Sequence, residues 1–246
     1  KSQFGQYFTP ASIATFMAKL LSFKEGESIR LLDPGAGIGS LSAAVLDRCA
    51  QAQNTAKDIR VDAFEIDYEL HPHLLKTLEV YQRELKVEFV AHSDDFIHTA
   101  AESASNHLFA KPLPQYTHAI LNPPYKKIRS DSPHRAALRQ AGIEVVNLYA
   151  AFVALALSLL QERGQLVAII PRSFCNGVYY RPFRELLLQQ SSIQHLHLFE
   201  SRSKAFKDDN VLQENVIIFL QKGVQQGEVT VSTSSDSDFH DLEQHN

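Results

Sequence analysis

The sequence predicts an open, mostly parallel α/β sheet of seven strands with the last strand antiparallel, and three observations carry that prediction. Short β-branched or aliphatic runs alternate with longer stretches of helical period, a glycine-rich turn follows the first run, and a proline-fixed turn follows the fourth. Strands are expected near 29–33, 60–65, 87–91, 117–121, 165–170, 193–199 and 214–220. Helices are expected at 10–22, 39–51, 72–84, 147–162 and 180–190, with 126–142 a basic loop that can hold a short helix. Between the last two strands, Glu200 to Gln213 is polar and charged, so those strands are expected to run antiparallel with a functional loop joining them.

A chain of 246 residues, 44% hydrophobic and 21% charged, is long enough for one substantial core. Its longest apolar run, Leu148 to Leu160, falls short of a bilayer span, so no membrane is expected. Cys49 and Cys175 are far apart and form no CxxC pair, which excludes a disulfide framework and a zinc site and fits a reducing cytoplasm; Cys175 is expected in the core. The chain opens on Lys1 without a charged-then-apolar leader, as expected of a piece of a longer protein. The net charge of -4 is uneven: Asp236, Asp238, Asp241 and Glu243 lie in a basic-free tail, which leaves 24 acidic against 24 basic residues in 1–231. Lys126, Lys127, Arg129, Arg135 and Arg139 against Asp131 give a local charge of +4, suited either to phosphate or to a solvated face.

Asp33-Pro34-Gly35-Ala36-Gly37-Ile38-Gly39 follows Leu31-Leu32 and precedes a helical pattern, which puts it on a strand-to-helix turn where open α/β sheets bind ligands. Gly35 and Gly37 let backbone pass close to a ligand. A dinucleotide fingerprint would put its third glycine at position 40, which is Ser40, and a strand ending in Asp33 suits a cationic amino-acid group, as in S-adenosylmethionine, better than a pyrophosphate. Glu65, at the end of the second strand, is placed to accept from two ribose hydroxyls, with Asp67 the alternative or a helix cap. Asp95 and Phe96 offer an acceptor for an adenine amino group and a face for its ring.

Asn122-Pro123-Pro124-Tyr125 follows the fourth strand at the same sheet edge. The prolines fix two φ angles and carry no N–H, so carbonyl oxygens are free to point into a site. The Asn122 side-chain oxygen and the Pro123 carbonyl can each accept one hydrogen of a substrate NH2 group. An aromatic or amide NH2 is a poor nucleophile because its lone pair is delocalised, and two acceptors favour a pyramidal nitrogen. Positioning and electrostatics then carry the chemistry without prior deprotonation. Tyr125 offers a ring for a planar base that has left its duplex. Standing alone, the tetrapeptide reads equally as a rigid turn. His71 and His73, like His195 and His197, lack a completing ligand set, so no metal is expected. Ser173 and Cys175 lack a nucleophile elbow.

These residues, with Gly5-Gln6-Tyr7-Phe8-Thr9-Pro10, resemble the adenine-N6 DNA methyltransferases of restriction-modification systems whose cofactor motifs precede the catalytic one. The resemblance runs over about residues 4 to 222, and Asn147-Leu148-Tyr149 and the strand 165–171 fall in the family's order. It implies a Rossmann-like class I methyltransferase fold, S-adenosyl-L-methionine as cofactor and double-stranded DNA as partner. It also implies that Tyr7, Thr9 and Pro10 close over the cofactor's methionine part and that Asn122 borders the cofactor as well as the substrate. Phe206, or its competitor Phe199, would stack on an extruded adenine, and Lys126, Lys127, Arg129 and Arg135 would meet DNA. On this reading 1–222 is the catalytic domain, and 223–246 is a polar tail leading to a separate target-recognition domain or partner subunit. The tetrapeptide itself leaves open a protein glutamine, an RNA adenine or a cytosine N4 as methyl acceptor, and a non-catalytic cofactor-binding domain of a larger assembly.

Overall fold

The computed structural model describes residues 9–51, 56–105, 112–199 and 215–245. Tyr7 and Phe206 lie outside them. The chain opens with α1 (Ala11–Leu20), entered at Pro10, and then alternates: β1 (Ser28–Pro34), α2 (Ser40–Gln51), β2 (Asp58–Phe64), α3 (His71–Leu85), β3 (Glu88–His92), α4 (Phe96–Ala104) and β4 (Tyr116–Leu121). After them come α5 (Pro133–Gln140), α6 (Leu148–Leu159), β5 (Leu160–Pro171), α7 (Arg181–Gln190), β6 (Ser191–Phe199), β7 (Asn215–Lys222), β8 (Thr230–Ser234) and β9 (Glu243–His245).

All nine strands among the described residues join one sheet in the order β3-β2-β1-β4-β5-β7-β6-β8-β9. The pairs from β3 to β5 are parallel, and β7 inserts antiparallel between β5 and β6. Strands β1 to β6 therefore point one way, and their carboxyl ends share one edge. Alternation along the central strands sends Leu166, Ala168 and Ile170 of β5 to one face and Val167 and Ile169 to the other, so each face buries its own core. Helices α1, α2 and α3 cover one face; α4, α5, α6 and α7 cover the other. Helix α6 is apolar nearly all round because sheet and neighbouring helices enclose it.

The expected mostly parallel sheet with a reversed β7 is present, with nine strands rather than seven. The two additional strands come from the segment read as a polar tail. β8 pairs parallel with β6, and its Ser232 hydroxyl lies 2.7 Å from His195 Nε2 and 2.9 Å from His197 Nδ1, while Ser234 Oγ lies 3.1 Å from His197 Nε2. Phe239 stacks on Phe16 at 4.3 Å. Ser232 and Ser234, which lower the hydropathy of this stretch, are here partners of the half-buried His195 and buried His197 imidazoles. Two further expectations are corrected. Residues 96–104 form a helix that the strand-helix reading passed over, and Cys175 is exposed because it ends a short 3-10 turn (Arg172–Cys175) outside the sheet. The helix expected inside the basic loop is present as α5. No helix among the described residues is long and apolar enough to cross a membrane.

Candidate active site

Three glycines shape the turn after β1. Gly35, Gly37 and Gly39 have φ of 77°, 57° and 85°, a region L side chains rarely adopt, and a Cβ on Gly39 would come 3.0 Å from Leu74 Cδ1. The Gly35 and Ala36 N–H groups both donate to the Phe64 carbonyl, which ties the turn to the end of β2. Glu65 completes the tie: its Oε2 accepts from Gly37 N at 2.8 Å and its Oε1 from Asp67 N at 2.7 Å. Asp33 lies behind the turn, fully buried, with Oδ2 accepting from the Ser42 hydroxyl at 2.6 Å and the Ser42 N–H at 3.2 Å. It thereby caps the first turn of α2, and its Oδ1 has no partner among the described residues. Burial, and then the charge of Glu65, push the Asp33 carboxyl up to about 7 against the opposing Ser42 hydrogen bonds.

A cavity of about 190 Å³ opens at this edge, where β2 and β4 flank β1 on opposite sides. Five of the residues expected to bind cofactor line it: Gly35, Glu65, Asp95, Phe96 and Asn122. Phe64, Ile66, Ile97, Leu148 and Phe152 make most of the rest apolar, with Asp94 and His134 at its polar end. Asp33, Gly37, Thr9 and Pro10 are not in the wall. Asp33 and Gly37 support it from behind, and Thr9 reaches it through Asn122. Asp67 is also outside the wall and accepts from Glu69 N in a turn. The walls suit a nucleoside carrying a hydrocarbon-linked chain, with apolar faces for a base and carboxylates for hydroxyls and an amino group. A Cβ on Gly35 would come 3.6 Å from Phe152 Cε1, narrowing that space.

Asp95 is more constrained than the sequence implied. It is the N-cap of α4, with Oδ1 accepting from His98 N at 3.0 Å, and its Oδ2 accepts from His134 Nε2 at 2.8 Å. Burial acts to raise its carboxyl, but these bonds outweigh burial and hold it below the ordinary carboxylate range. The hydrogen bond to Asp95 holds the His134 imidazole above its usual value. Asp95, His98 and His134 bring ligand-type atoms within 4.8 Å of one another, a cluster the sequence did not suggest because His134 arrives from α5, 39 residues on.

The Asn122–Tyr125 tetrapeptide leaves β4 at the cavity rim. Asn122 Nδ2 donates to Thr9 Oγ1 at 3.1 Å, which turns Oδ1 the other way, where the Tyr125 hydroxyl donates to it at 3.3 Å. Pro123 is buried and Tyr125 half-buried, its ring edge-on to Tyr149 at 6.4 Å. Beyond it Lys126 and Lys127 are exposed, and Arg129 is exposed but pairs with Asp131. Arg135, expected to meet DNA, turns inward instead. It donates to the Val145 carbonyl and pairs with Glu144 at 3.2 Å, with 14% of its side chain exposed. Phe199, the competitor of Phe206, is core, packed on His197 and Phe239.

Relatives share both sequence and fold. The chain is 52% identical over 241 residues to the Type II methyltransferase M.BsuBI of Bacillus subtilis and 41% identical over 240 residues to M.PstI of Providencia stuartii. These matches cover 97% and 96% of this chain but 48% and 46% of the relatives, so the chain spans about half their length. Among solved structures, a Listeria monocytogenes protein described as a class I S-adenosylmethionine-dependent methyltransferase superposes with a TM-score of 0.72 at 16% identity, covering 96% of this chain and 68% of that one. The methyltransferase subunit of a type I restriction-modification system from Streptococcus thermophilus does so at 0.71 and 16%, covering 93% and 47%. Both share the class I methyltransferase fold. Residues 12–206 match the model of the Eco57I restriction-modification methylase, and the chain belongs to that family.

Proposed function

We propose that this chain is the catalytic part of a site-specific DNA adenine-N6 methyltransferase of a restriction-modification system, with S-adenosyl-L-methionine as methyl donor. One observation carries the reading: Asn122, with its amide turned by Thr9, stands in the wall of the cavity that the glycine turn and Glu65 frame. The family and the names of the relatives point the same way. When bound, S-adenosylmethionine supplies an electrophilic methyl group. Gly35, Glu65, Asp95 and Phe96 would hold it, with Tyr7, Thr9 and Pro10 over its methionine end.

The remaining work falls to the rim. Asn122 Oδ1 and the Pro123 carbonyl accept the two amino hydrogens of the adenine and direct the nitrogen lone pair into the cavity. Tyr125 gives up its 3.3 Å bond to Oδ1 and presents its ring to the extruded base, with Phe206 on the opposite face. No base is needed before transfer; the amino proton leaves afterwards. Lys126, Lys127 and Arg129 contact phosphates, and a target-recognition domain or partner subunit supplies the sequence preference.

The test is to incubate the full-length protein with methyl-labelled cofactor and, separately, duplex DNA, RNA and a protein extract. Label is expected in duplex DNA. Label found only in protein would assign the tetrapeptide to glutamine, and label only in RNA would replace the DNA substrate; either overturns the reading.

A further inference from the structure

Beyond β5 the chain makes two 3-10 turns, Arg172–Cys175 and Val178–Tyr180, before α7. Because β5 runs parallel to β4, this loop emerges at the same edge as Asn122–Tyr125. It is held firmly at its base. Arg184 donates to the carbonyls of Phe174 at 2.9 Å and Gly177 at 3.0 Å, and Gly177 takes φ 85°. Tyr180 accepts from Asn147 Nδ2 at 3.1 Å, and Asn147 bridges to Lys127 in the segment that follows the tetrapeptide. The Tyr180 ring lies 6.3 Å from Tyr149, which in turn meets Tyr125. Hydrogen bonds and the charge of Lys127 outweigh burial and hold the Tyr180 phenol below its ordinary value, as expected where a cation stands close.

On this fixed base Val178 and Tyr179 point outward, 81% and 82% exposed, the most exposed large apolar side chains among the described residues. Their neighbours are basic. From Arg172 to Arg184 the sequence has three arginines, of which Arg181 pairs with Glu185 at 2.7 Å, and Lys127, next to Lys126, stands across from Asn147. An apolar pair rooted in a turn held by hydrogen bonds, with more basic than acidic residues flanking it, suits a polyanion with stacked rings better than a protein face. Proteins that unstack DNA use apolar wedges of this kind.

We propose that Val178 and Tyr179 form a wedge that packs into duplex DNA beside the extruded nucleotide, Tyr179 lying against the base pair next to the gap. The proposal rests on the DNA reading above. The wedge replaces stacking lost when the target base leaves, so it assists extrusion and does not touch the reacting atoms.

The experiment compares full-length wild type, Tyr179→Ala and Tyr179→Phe on a duplex carrying the sequence that wild type methylates, and on the same duplex with an abasic site opposite the target adenine. Tyr179→Ala is expected to lower kcat/KM about tenfold or more on the paired duplex, while Tyr179→Phe stays within about twofold, since stacking needs only the ring. On the abasic duplex, where the target is already unpaired, the Ala variant is expected to recover to within about threefold of wild type. Its fluorescence with 2-aminopurine at the target position should rise less than wild type's. Full activity of Tyr179→Ala on the paired duplex overturns the wedge. So does an equal loss on both duplexes, which would mean that Tyr179 docks on another part of the protein. A wild type that labels no DNA removes the underlying function reading as well, and that outcome is distinct from both.

Discussion

On the β1–β2 side of the sheet edge, carboxylates direct their oxygens at the protein's own backbone, Glu65 at Gly37 and Asp67 and Asp33 at Ser42. On the β5–β6 side, the chain at the same edge sends Val178 and Tyr179 into solvent. The first side is fixed before any ligand arrives, as a small-molecule pocket requires. The second offers apolar side chains that no described residue covers. Substitutions on the two sides should therefore separate cofactor binding from transfer to the macromolecule, with Asn122 on the boundary.

The largest expected effect is at that boundary. Asn122→Ala removes one of two acceptors for the substrate NH2, and the single-turnover transfer rate should fall about 10²- to 10³-fold, by analogy with loss of one preorganised hydrogen-bonding group elsewhere. Cofactor affinity by calorimetry should fall far less, because Asn122 is one of several residues in the cavity wall; a parallel loss of both would merge the two sides.

The two sides also titrate in opposite senses. Asp33, raised from 3.8 to about 7, keeps its proton in the folded protein where the unfolded chain has lost it, so its contribution is full below pH 3.8 and lost as pH rises through about 7. His197, held by burial at about 4 against 6.5, contributes fully above pH 6.5 and loses that contribution as pH falls through about 4. The effects are at most about 4 kcal/mol for Asp33 and about 3 kcal/mol for His197. In denaturant unfolding between pH 4 and 7, Asp33→Asn should steepen the rise of stability with pH and His197→Gln should flatten it. Shifts of the same sign would show that one of the two environments is misassigned.

A smaller change is expected at Gly39. Replacement by Ala meets both φ 85° and a 3.0 Å approach to Leu74, and should cost about 1–3 kcal/mol in thermal unfolding. If Gly39→Ala left stability unchanged, the turn would be looser than its contacts imply. Smallest is Lys127→Ala, which should weaken DNA binding for all sequences and reduce the log–log salt slope by about 0.9. An unchanged slope would remove Lys127 from the phosphate contacts.

The pattern of what the sequence disclosed follows the same division. The glycine turn and Asn122–Tyr125 were legible because Gly and Pro restrict the backbone locally, wherever the chain goes afterwards. His134 and Phe152, which complete the cavity wall, were not, because α5 and α6 bring them there only by packing. Arg135 looked like a DNA contact because a count of charges cannot see the Val145 carbonyl and Glu144 that hold it. β8 was hidden by composition. Its Ser232 and Ser234 read as solvated until the imidazoles of His195 and His197 stand opposite them. Phe199 illustrates the converse, an aromatic residue at a plausible position that packing assigns to the core.

Duplex DNA methylated by the full-length protein with labelled cofactor, digested to nucleosides and separated, should carry its label in N6-methyl-2′-deoxyadenosine. Label in N4-methyl-2′-deoxycytidine would contradict the adenine assignment while leaving the Asn122 chemistry intact.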